Sequence, residues 1–303
     1  MNTKAGYVTI IGNPNAGKST LLNAFLGQKL SITSPKPQTT RKRILGILSE
    51  PDYQVVFLDT PGILKPNYLL QDKMLEIVNL SIYDADVLLY LLDLNDDPRG
   101  EKLFSTETFI KSLKLKEPKR ILAVNKIDLA NETIVNQIIE ENKATNLFDE
   151  VIAISATYYS NIDTLKSKII DLLPSGPKFY PDDQVSNENT RFFVSEIIRE
   201  KIFLLYRDEI PYSSEVVVEE YKERENSKDY ISATILLERG TQKSILIGKK
   251  GEAIKKLSTE ARKEIEEFVG KEVFLELRVK EKLNWRKDPK ILKSLGYFNH
   301  NEE

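Results

Sequence analysis

The sequence predicts two successive domains, an α/β domain with a mainly parallel sheet and helices on both faces, then a smaller α+β domain. Its 303 residues suffice for about two domains. Through residue 175, short apolar runs alternate with amphipathic stretches, the pattern of buried parallel strands joined by helices. After Pro174-Ser175-Gly176-Pro177, the strands instead alternate apolar and polar residues, as in a sheet with one wet face. We divide the chain into residues 1–175, a linker 176–190, a second domain 191–282 and a tail 283–303.

In the first domain, each predicted strand is followed directly by a glycine or a polar residue. Ligands bind at the carboxyl ends of parallel strands, so we expect the site at that edge of the sheet. The predicted strands are 7–11, 55–58, 87–92, 121–124 and 151–154, and the predicted helices are 18–26, 71–83, 105–113, 134–143 and 162–173.

The composition excludes several kinds of chemistry. There is no cysteine and a single histidine, His300, so disulfides, thiolate metal sites, cysteine nucleophiles and histidine triads are excluded. The amino terminus lacks the apolar core of a signal peptide. The most apolar internal run, 87–92, is far shorter than the ~18–20 residues of a membrane span. We therefore expect a soluble cytoplasmic protein.

The clearest motif is a full G-x-x-x-x-G-K-[ST] between the first strand and the first helix. Its glycines let the backbone wrap around an anion, so that successive N–H groups and the helix N-terminus face the phosphates. In such a loop the lysine reaches the β- and γ-phosphates, and the serine hydroxyl ligates Mg²⁺. The predicted phosphate-binding residues are Gly12, Asn13, Pro14, Asn15, Ala16, Gly17, Lys18, Ser19 and Thr20.

Two further motifs follow strands at the same edge. The first, DTPG, offers a carboxylate that can hold Mg²⁺ through water and a glycine N–H that can sense a γ-phosphate. The second, NKID, offers an aspartate that can accept two hydrogen bonds from guanine, and adenine would leave that carboxylate unpaired. A missing partner of this kind can discriminate by ~10⁴–10⁵. The residues are Asp59, Thr60, Pro61 and Gly62, with Ile63 next, and Asn125, Lys126, Ile127 and Asp128.

The remaining residues of the predicted base pocket support that aspartate. We expect Lys126 to pack its stem along the base and Asn125 to tie neighbouring loops together. Ser155-Ala156 follows the last strand, and the Ala156 N–H can face guanine O6.

The second domain is predicted to run α-β-β-α-α-β, with helices 191–206, 241–247 and 252–268 and strands 215–221, 230–237 and 273–279. A G-x-x-G hinge between the last two helices can bring backbone N–H groups and lysines to a nucleic-acid backbone. Residues 241–293 carry 15 Lys and Arg against 9 Asp and Glu in a chain of net charge −2, which favours a polyanion partner. The predicted RNA-binding residues are Ile247, Gly248, Lys249, Lys250, Gly251 and Lys255. Ile245 and Ile254 could add a groove for unstacked bases, although core packing is the alternative for each isoleucine.

In this order, GNPNAGKS, DTPG, NKID and SA resemble the signature of the P-loop GTPases of the translation-factor class. The resemblance implies GTP or GDP and Mg²⁺ as cofactors, and catalytic roles for Lys18, Thr40 and Gly62. Thr40, directly before Arg41, would complete the metal site with Ser19 and Asp59, and Thr39 is the other candidate for that role.

This chain departs from small signalling GTPases at one position, and the role of one further residue stays open. Small signalling GTPases orient the attacking water with a glutamine where this chain has Ile63, so slow intrinsic hydrolysis is expected. Related members with this loop can hold K⁺ near the asparagine that is Asn15 here. A turn-shaping role for that asparagine remains the alternative.

The second domain resembles a type II KH domain, and the two domains together resemble the bacterial Era family over nearly the whole chain. The tail residues Lys282-Leu283-Asn284-Trp285-Arg286 and Leu295-Gly296-Tyr297 add to this resemblance. The resemblance implies a GTP-hydrolysing monomer that binds 16S rRNA near its 3′ end and assists 30S subunit assembly. Peripheral association with the inner face of the cell membrane is also a family trait, although the sequence shows no amphipathic anchor.

Two alternatives stay open. One is an RNA-binding scaffold whose nucleotide fixes the domain orientation with negligible turnover, and Ile63 is the residue that keeps it open. The other is a tRNA-modifying GTPase or a tandem GTPase assembly factor. The single P-loop and the lack of a catalytic cysteine or a flavin motif count against both forms of this second alternative.

Overall fold

A computed structural model describes residues 3–298 and separates them into two compact units. The first unit comprises the residues through Pro66 together with Gln71–Asn187. The second comprises Asn67–Leu70 and the chain from Glu188 onward. His300, the single histidine, lies outside the described residues. Within residues 3–298, no helix combines the length and the apolar character needed to cross a bilayer.

The first unit is a six-stranded sheet in the order β2-β3-β1-β4-β5-β6, and neighbouring strands are parallel except for the antiparallel pair β2–β3. This confirms the predicted α/β class. The strands are β1 (Lys4–Gly12), β2 (Ile44–Glu50), β3 (Tyr53–Asp59), β4 (Val87–Asp93), β5 (Lys119–Asn125) and β6 (Glu150–Ala153). The α-helices are α1 (Lys18–Leu26), α2 (Leu69–Tyr83), α3 (Glu101–Phe104), α4 (Glu107–Ser112), α5 (Glu132–Ala144) and α6 (Ile162–Leu172).

Two elements of this unit differ from the sequence prediction. Strand β2 was not predicted, although its apolar run and the two-residue turn before β3 are the marks of a hairpin. The predicted helix 105–113 is confirmed as α4, which begins two residues later and ends one residue earlier, whereas the short helix α3 was not predicted. Helix α4 begins after Thr106 because the Thr106 hydroxyl accepts a hydrogen bond from the Phe109 N–H (3.2 Å) and caps it.

The predicted linker is held against the edge of this sheet. The buried Gln54 carboxamide accepts from the N–H groups of Phe179 (2.8 Å) and Tyr180 (3.0 Å) and donates to the Tyr180 carbonyl (2.8 Å). Further along, the Ile47 N–H on β2 donates to the Val185 carbonyl (2.8 Å). The linker therefore supplies hydrogen bonds to the backbone of edge strand β2.

The second unit is a three-stranded sheet in the order β7-β8-β9 with helices against one face. Strands β7 and β8 are antiparallel, and β8 and β9 are parallel. Two short helices, α8 and α11, were not predicted. The elements are α7 (Thr190–Leu205), α8 (Ile210–Ser213), β7 (Glu215–Lys222), β8 (Asp229–Leu237), α9 (Gly240–Ile247), α10 (Glu252–Val269), β9 (Val273–Glu281) and α11 (Pro289–Ser294).

The tail of the second unit is anchored by one aromatic side chain. Trp285 is fully buried, and its indole N–H donates to the Ser213 carbonyl (2.8 Å) at the end of α8. A buried indole needs such a partner for its N–H. Trp285 therefore ties the segment after β9 to the short helix that precedes β7.

Candidate nucleotide-binding site and nucleic-acid interface

A cleft of about 390 Å³ opens at the carboxyl ends of the parallel strands in the first unit. Residues from every predicted nucleotide motif line it, together with residues 32–35 and 38–40 of the loop before β2. The lining from the motifs consists of Pro14, Asn15, Gly17, Lys18, Ser19, Thr20, Gly62, Asn125, Lys126, Asp128 and Ala156. The structure thus brings together motifs that lie more than a hundred residues apart in the chain.

The Lys18 ammonium sits inside the loop that precedes α1. Its Nζ donates to the carbonyls of Gly12 (3.2 Å) and Asn13 (3.0 Å), and the side chain is buried. Burial lowers the pKa of Lys18 to about 8, and the neighbouring Asp59 carboxylate opposes that shift. A buried cation beside the open cleft is well suited to bind a phosphate.

Two glycines of the cleft allow backbone approaches that no side chain would permit. Gly17 has φ +99°, and a Cβ there would lie 2.5 Å from the Asn125 amide nitrogen. A Cβ on Gly62 would lie 2.7 Å from both Cα and N of Pro14. Both positions therefore require glycine for these close contacts.

Three residues predicted to bind the metal meet at one point. The Ser19 hydroxyl donates to Asp59 Oδ2 (2.7 Å) and lies 2.8 Å from the Thr40 hydroxyl. Of the two threonine candidates, Thr40 is the one joined to Ser19. Asp59 Oδ1 is buried and has no hydrogen-bond partner among the described residues, and burial raises the pKa of Asp59. Two hydroxyls and a half-satisfied carboxylate fit a divalent cation with its water shell.

Asn125 connects the phosphate loop to the loop after β6. Its amide nitrogen donates to the Ala16 carbonyl (2.8 Å), and its oxygen accepts from the Ala156 N–H (3.0 Å). The Ala156 N–H was expected to face guanine O6. Because it already donates to Asn125, it would have to share this bond with the base.

The Asp128 carboxylate is exposed in the cleft and oriented by a neighbour. The Ser155 hydroxyl donates to Asp128 Oδ1. The Lys126 ammonium pairs with Asp93 Oδ2 (2.6 Å), which holds the lysine beside the cleft. Asp93 was not predicted from the sequence, although its place at the end of β4, level with Asn125 on β5, was a signal.

The residue after the DTPG motif is turned away from the cleft. Ile63 is buried in an apolar cluster with Ile11 and Val78, while its N–H donates to the Gly12 carbonyl (3.1 Å). The backbone at this point is therefore tied to the phosphate loop, and the side chain offers no polar group to a water molecule.

In the second unit, the G-x-x-G segment forms a sharp hinge between α9 and α10. Gly248, Lys250 and Gly251 have φ of +74°, +50° and +78°, and the side chains of Lys249 and Lys250 are exposed. A Cβ on Gly248 would lie 2.6 Å from the Ala253 Cβ, so a glycine is required there. The two lysines are thus presented at the tip of the hinge.

A groove of about 270 Å³ lies between α10 and the edge strand β9, beyond the hinge. It is lined by Ile254, Lys255, Ser258, Thr259, Arg262 and Leu277. The residues on α10 recur at i, i+4 and i+8, a spacing that could have identified this face from the sequence. Ile245, in contrast, is 53% exposed and does not line the groove.

The fold and the two sites define a P-loop GTPase joined to a KH domain. The family model described as "50S ribosome-binding GTPase" matches residues 7–126, and the model described as "KH domain" matches residues 209–286. The chain is 46% identical to GTPase Era of Thermoanaerobacter sp. (strain X514), with 98% of this chain and 97% of that protein covered. It is 45% identical to a chloroplastic GTPase ERA-like protein of Oryza sativa subsp. japonica, with 98% and 70% covered. The chain therefore belongs to the Era family of GTPases.

Two solved structures show the same architecture over nearly the whole chain. An Aquifex aeolicus Era variant bound to GDP and AlF₄⁻ superposes with a TM-score of 0.91 at 39% identity, covering 98% of this chain and all of that one. An Era complex with MgGDPNP and nucleotides 1506–1542 of 16S ribosomal RNA also gives a TM-score of 0.91, at 38% identity and the same coverage. The predicted order, GTPase domain followed by KH domain, is confirmed, as is the assignment of the chain as a GTPase.

Proposed function

We propose that this chain is a GTP-dependent switch that binds 16S rRNA near its 3′ end and assists maturation of the 30S subunit. The observation that carries the proposal is the presence, in one chain, of a complete guanine-nucleotide cleft and a KH hinge with its groove. The Era complex that contains MgGDPNP and a 3′ segment of 16S rRNA supports the choice of ligand. We divide the chain accordingly into a GTPase domain 1–175, a linker 176–190, a KH domain 191–282 and a tail 283–303.

In the GTPase domain, we propose that Mg²⁺ binds between Ser19, Thr40 and Asp59. Asp59 Oδ1, which is buried and has no hydrogen-bond partner within residues 3–298, supports this placement, since it could accept from a water of the ion. Lys18, Thr40 and Gly62 would then act on the γ-phosphate. Asp128 would read guanine, with Ser155 holding its carboxylate in place.

Slow intrinsic turnover is part of the proposal. Ile63 packs in the core and has no group that could orient a water. The alternative of a scaffold with negligible turnover rests on the same residue. Measuring GTP turnover with and without RNA separates the two, because a switch should be stimulated and a scaffold should not.

We also propose K⁺ as an accessory cofactor near Asn15. The Asn15 amide nitrogen donates to the Pro35 carbonyl (2.9 Å), so the carboxamide oxygen, which could ligate a cation, is outside this bond. Its φ of +64° equally fits a residue that only shapes the turn. Turnover in K⁺ compared with Na⁺, in the wild type and in Asn15→Ala, decides between the roles: only a K⁺ ligand makes turnover selective for K⁺.

We propose that the protein is a cytoplasmic monomer. We further propose that it can associate peripherally with the inner face of the cell membrane. The family trait is the only support for the membrane contact. Cell fractionation and light scattering test these points.

In the KH domain, we propose that RNA follows the hinge and the adjoining groove. Lys249 and Lys250 would meet phosphates, while Gly248 and Gly251 permit close approach of the backbone. Ile247 and Lys255 would flank the bases, and Arg262 extends the positive lining along α10.

The test of this proposal is the double variant Lys249→Asp/Lys250→Asp. It should weaken binding to a 3′-terminal 16S rRNA strand by at least about 100-fold and reduce the salt dependence of what remains, because phosphate contacts are lost. GTP affinity and the melting temperature should stay unchanged, since both lysines are exposed. The matched control is Lys114→Asp/Lys116→Asp, which changes the charge equally at two exposed lysines of the first unit. Unchanged RNA affinity in a folded hinge variant contradicts the proposal.

A further inference from the structure

We propose that Phe274 is a stacking site for one unpaired nucleobase, at the end of the groove remote from the Gly248–Gly251 hinge. The inference rests on the RNA binding proposed above and adds a site outside the hinge and groove. Its ligand is the π-face of a base in a single-stranded RNA.

The site is an aromatic pair on the outer face of the three-stranded sheet. Tyr230 on β8 and Phe274 on β9 are cross-strand partners, with ring centroids 6.1 Å apart and planes inclined by 14°. The Arg224 guanidinium lies over the Tyr230 ring at 5.5 Å, and the Tyr230 hydroxyl donates to Glu276. These two contacts, one on the ring face and one at the hydroxyl, fix the orientation of Tyr230. Phe274 is the outermost ring, on the edge strand.

Phe274 does not follow the pattern of the other residues on its strand. Glu276, Arg278 and Lys280 share its face of β9, and all three are charged, which is how proteins usually protect an edge strand. Phe274 instead leaves 57% of its surface exposed. A cross-strand aromatic pair stabilises a sheet, but that stabilisation does not require the ring of Phe274 to be so exposed. Exposed aromatic faces of this kind are what single-stranded nucleic acids stack on.

The position of Phe274 relative to the groove supports this reading. The Val273 N–H donates to Glu266 Oε1 (3.0 Å), so the start of β9 lies against the last turns of α10. The hinge is at the other end of α10, and Leu277 lines the groove between them. Leu277 and Phe274 are three residues apart, about 10 Å along a strand, and their side chains point to opposite faces of the sheet. A KH groove holds about four nucleotides. A strand that leaves it past Arg262 and passes the edge of β9 would reach Phe274 within about two further nucleotides.

The charges around the aromatic pair indicate that the site reads a base and not the phosphates. Lys271 pairs with Asp229 (2.6 Å), and Lys228 pairs with Glu272 (3.4 Å). Arg278 pairs with Glu276 (2.9 Å). Cations already bound to carboxylates have little excess charge to offer a polyanion, and the remaining cation beside the pair, the Arg224 guanidinium, lies over the Tyr230 ring and not over Phe274. Stacking on Phe274 should therefore add affinity that hardly depends on salt, unlike the contacts of Lys249 and Lys250.

The experiment measures binding of a 12-nucleotide RNA, the 3′-terminal sequence of 16S rRNA, to the full chain at several salt concentrations. Phe274→Leu keeps an apolar side chain but removes the π-face, and it should weaken binding about 5- to 150-fold without changing the salt dependence. Phe274→Tyr keeps the ring and should stay within about twofold of the wild type. Phe179→Leu is the matched control, because Phe179 is a 50% exposed phenylalanine of the other unit.

A second measurement locates the stacked base, first in the wild type and then in the two Phe274 variants. The fluorescent base 2-aminopurine is placed at each position of the RNA in turn, and one position beyond the groove should be quenched by stacking. That quenching should disappear in Phe274→Leu and persist in Phe274→Tyr. The proposal is overturned if no such position exists, or if a folded Phe274→Leu binds within twofold of the wild type. If Lys249→Asp/Lys250→Asp still loses binding in that case, the RNA proposal stands without the stacking site. If the wild type binds no RNA, both fail.

Discussion

The Ser19 hydroxyl donates to Asp59 Oδ2 at 2.7 Å, whereas Asp59 Oδ1 is buried without a hydrogen-bond partner among residues 3–298. A buried carboxylate oxygen left unpaired costs free energy, and here burial raises the pKa of the group. A divalent cation with its water shell would satisfy that oxygen and favour the ionised form. Asp59 is thus the side chain on which the metal-binding hypothesis is best tested.

Asp59→Asn should therefore lose the Mg²⁺-dependent part of GTP binding. The amide has the same shape but lacks the charge that would hold the water shell of the ion, so the gain in affinity on adding Mg²⁺ should fall about 10- to 100-fold. Calorimetry with and without Mg²⁺ measures this gain. Asp84→Asn, at a half-exposed aspartate, is the control and should behave as the wild type. An undiminished Mg²⁺ effect in Asp59→Asn would place the metal elsewhere.

The affinity for GTP should decline as the pH rises above about 8. Burial lowers the pKa of Lys18 to about 8 in the free protein, and bound phosphates would favour the charged ammonium. Above pH 8 the lysine must therefore take up a proton on binding, which weakens affinity by up to about tenfold per pH unit. Below pH 8 the lysine is already protonated in the free protein, so its contribution to GTP affinity does not change with pH.

Calorimetry between pH 6.5 and 9, in buffers of different ionisation enthalpy, measures both the affinity and the proton uptake. Lys18→Ala is the comparison. It should bind nucleotide weakly at every pH and take up no proton at this position. Tight GTP binding by Lys18→Ala would remove Lys18 from the phosphate site.

Asp128→Asn should shift the preference from GTP toward xanthosine triphosphate. Xanthine carries a carbonyl where guanine carries an amine, so an amide side chain can donate where a carboxylate would be repelled. Competition among GTP, XTP and ATP measures the change, with a loss of GTP affinity of at least about 100-fold expected. Ser155→Ala removes the hydrogen bond to Asp128, together with the bond that the same hydroxyl accepts from the Tyr158 N–H (3.3 Å), and should weaken GTP binding without admitting XTP. An Asp128→Asn protein with its original GTP preference would show that another residue reads the base.

Most of the nucleotide site could be predicted from the sequence because each motif is local and follows a strand. The parallel sheet then brings the ends of β1, β3 and β5 to one edge, so motifs recognised separately line one cleft. The hinge Gly248–Gly251 could also be predicted, because it is a short local motif. Its positive φ angles need glycine or a strained residue.

The features that were missed depend on pairing between distant segments. Strand β2 pairs with β3 and with the linker near Val185. Its apolar run and the short turn indicate the hairpin with β3, but nothing in the run indicates the second pairing, with the linker. Asp93 acts through Lys126, 33 residues away. The hydrogen bond from the Ala156 N–H to Asn125 likewise could not be predicted from the sequence, because it depends on the distance between two loops.

The final prediction concerns Gly62, which lies against the phosphate loop. A Cβ there would lie 2.7 Å from Cα and N of Pro14, and these are backbone atoms that cannot rotate away. Gly62→Ala should therefore push the DTPG loop outward and lengthen the bond from the Ile63 N–H to the Gly12 carbonyl, now 3.1 Å. GDP should still bind within a few-fold, because Lys18 and Asp128 are untouched. GTP hydrolysis should fall at least about tenfold, because the glycine N–H would no longer reach the γ-phosphate. The matched control is Gly176→Ala, where a Cβ meets nothing within 4 Å, and it should hydrolyse GTP as the wild type does. Single-turnover kinetics and GDP titrations measure both variants, and normal hydrolysis by Gly62→Ala would show that this glycine does not act on the γ-phosphate.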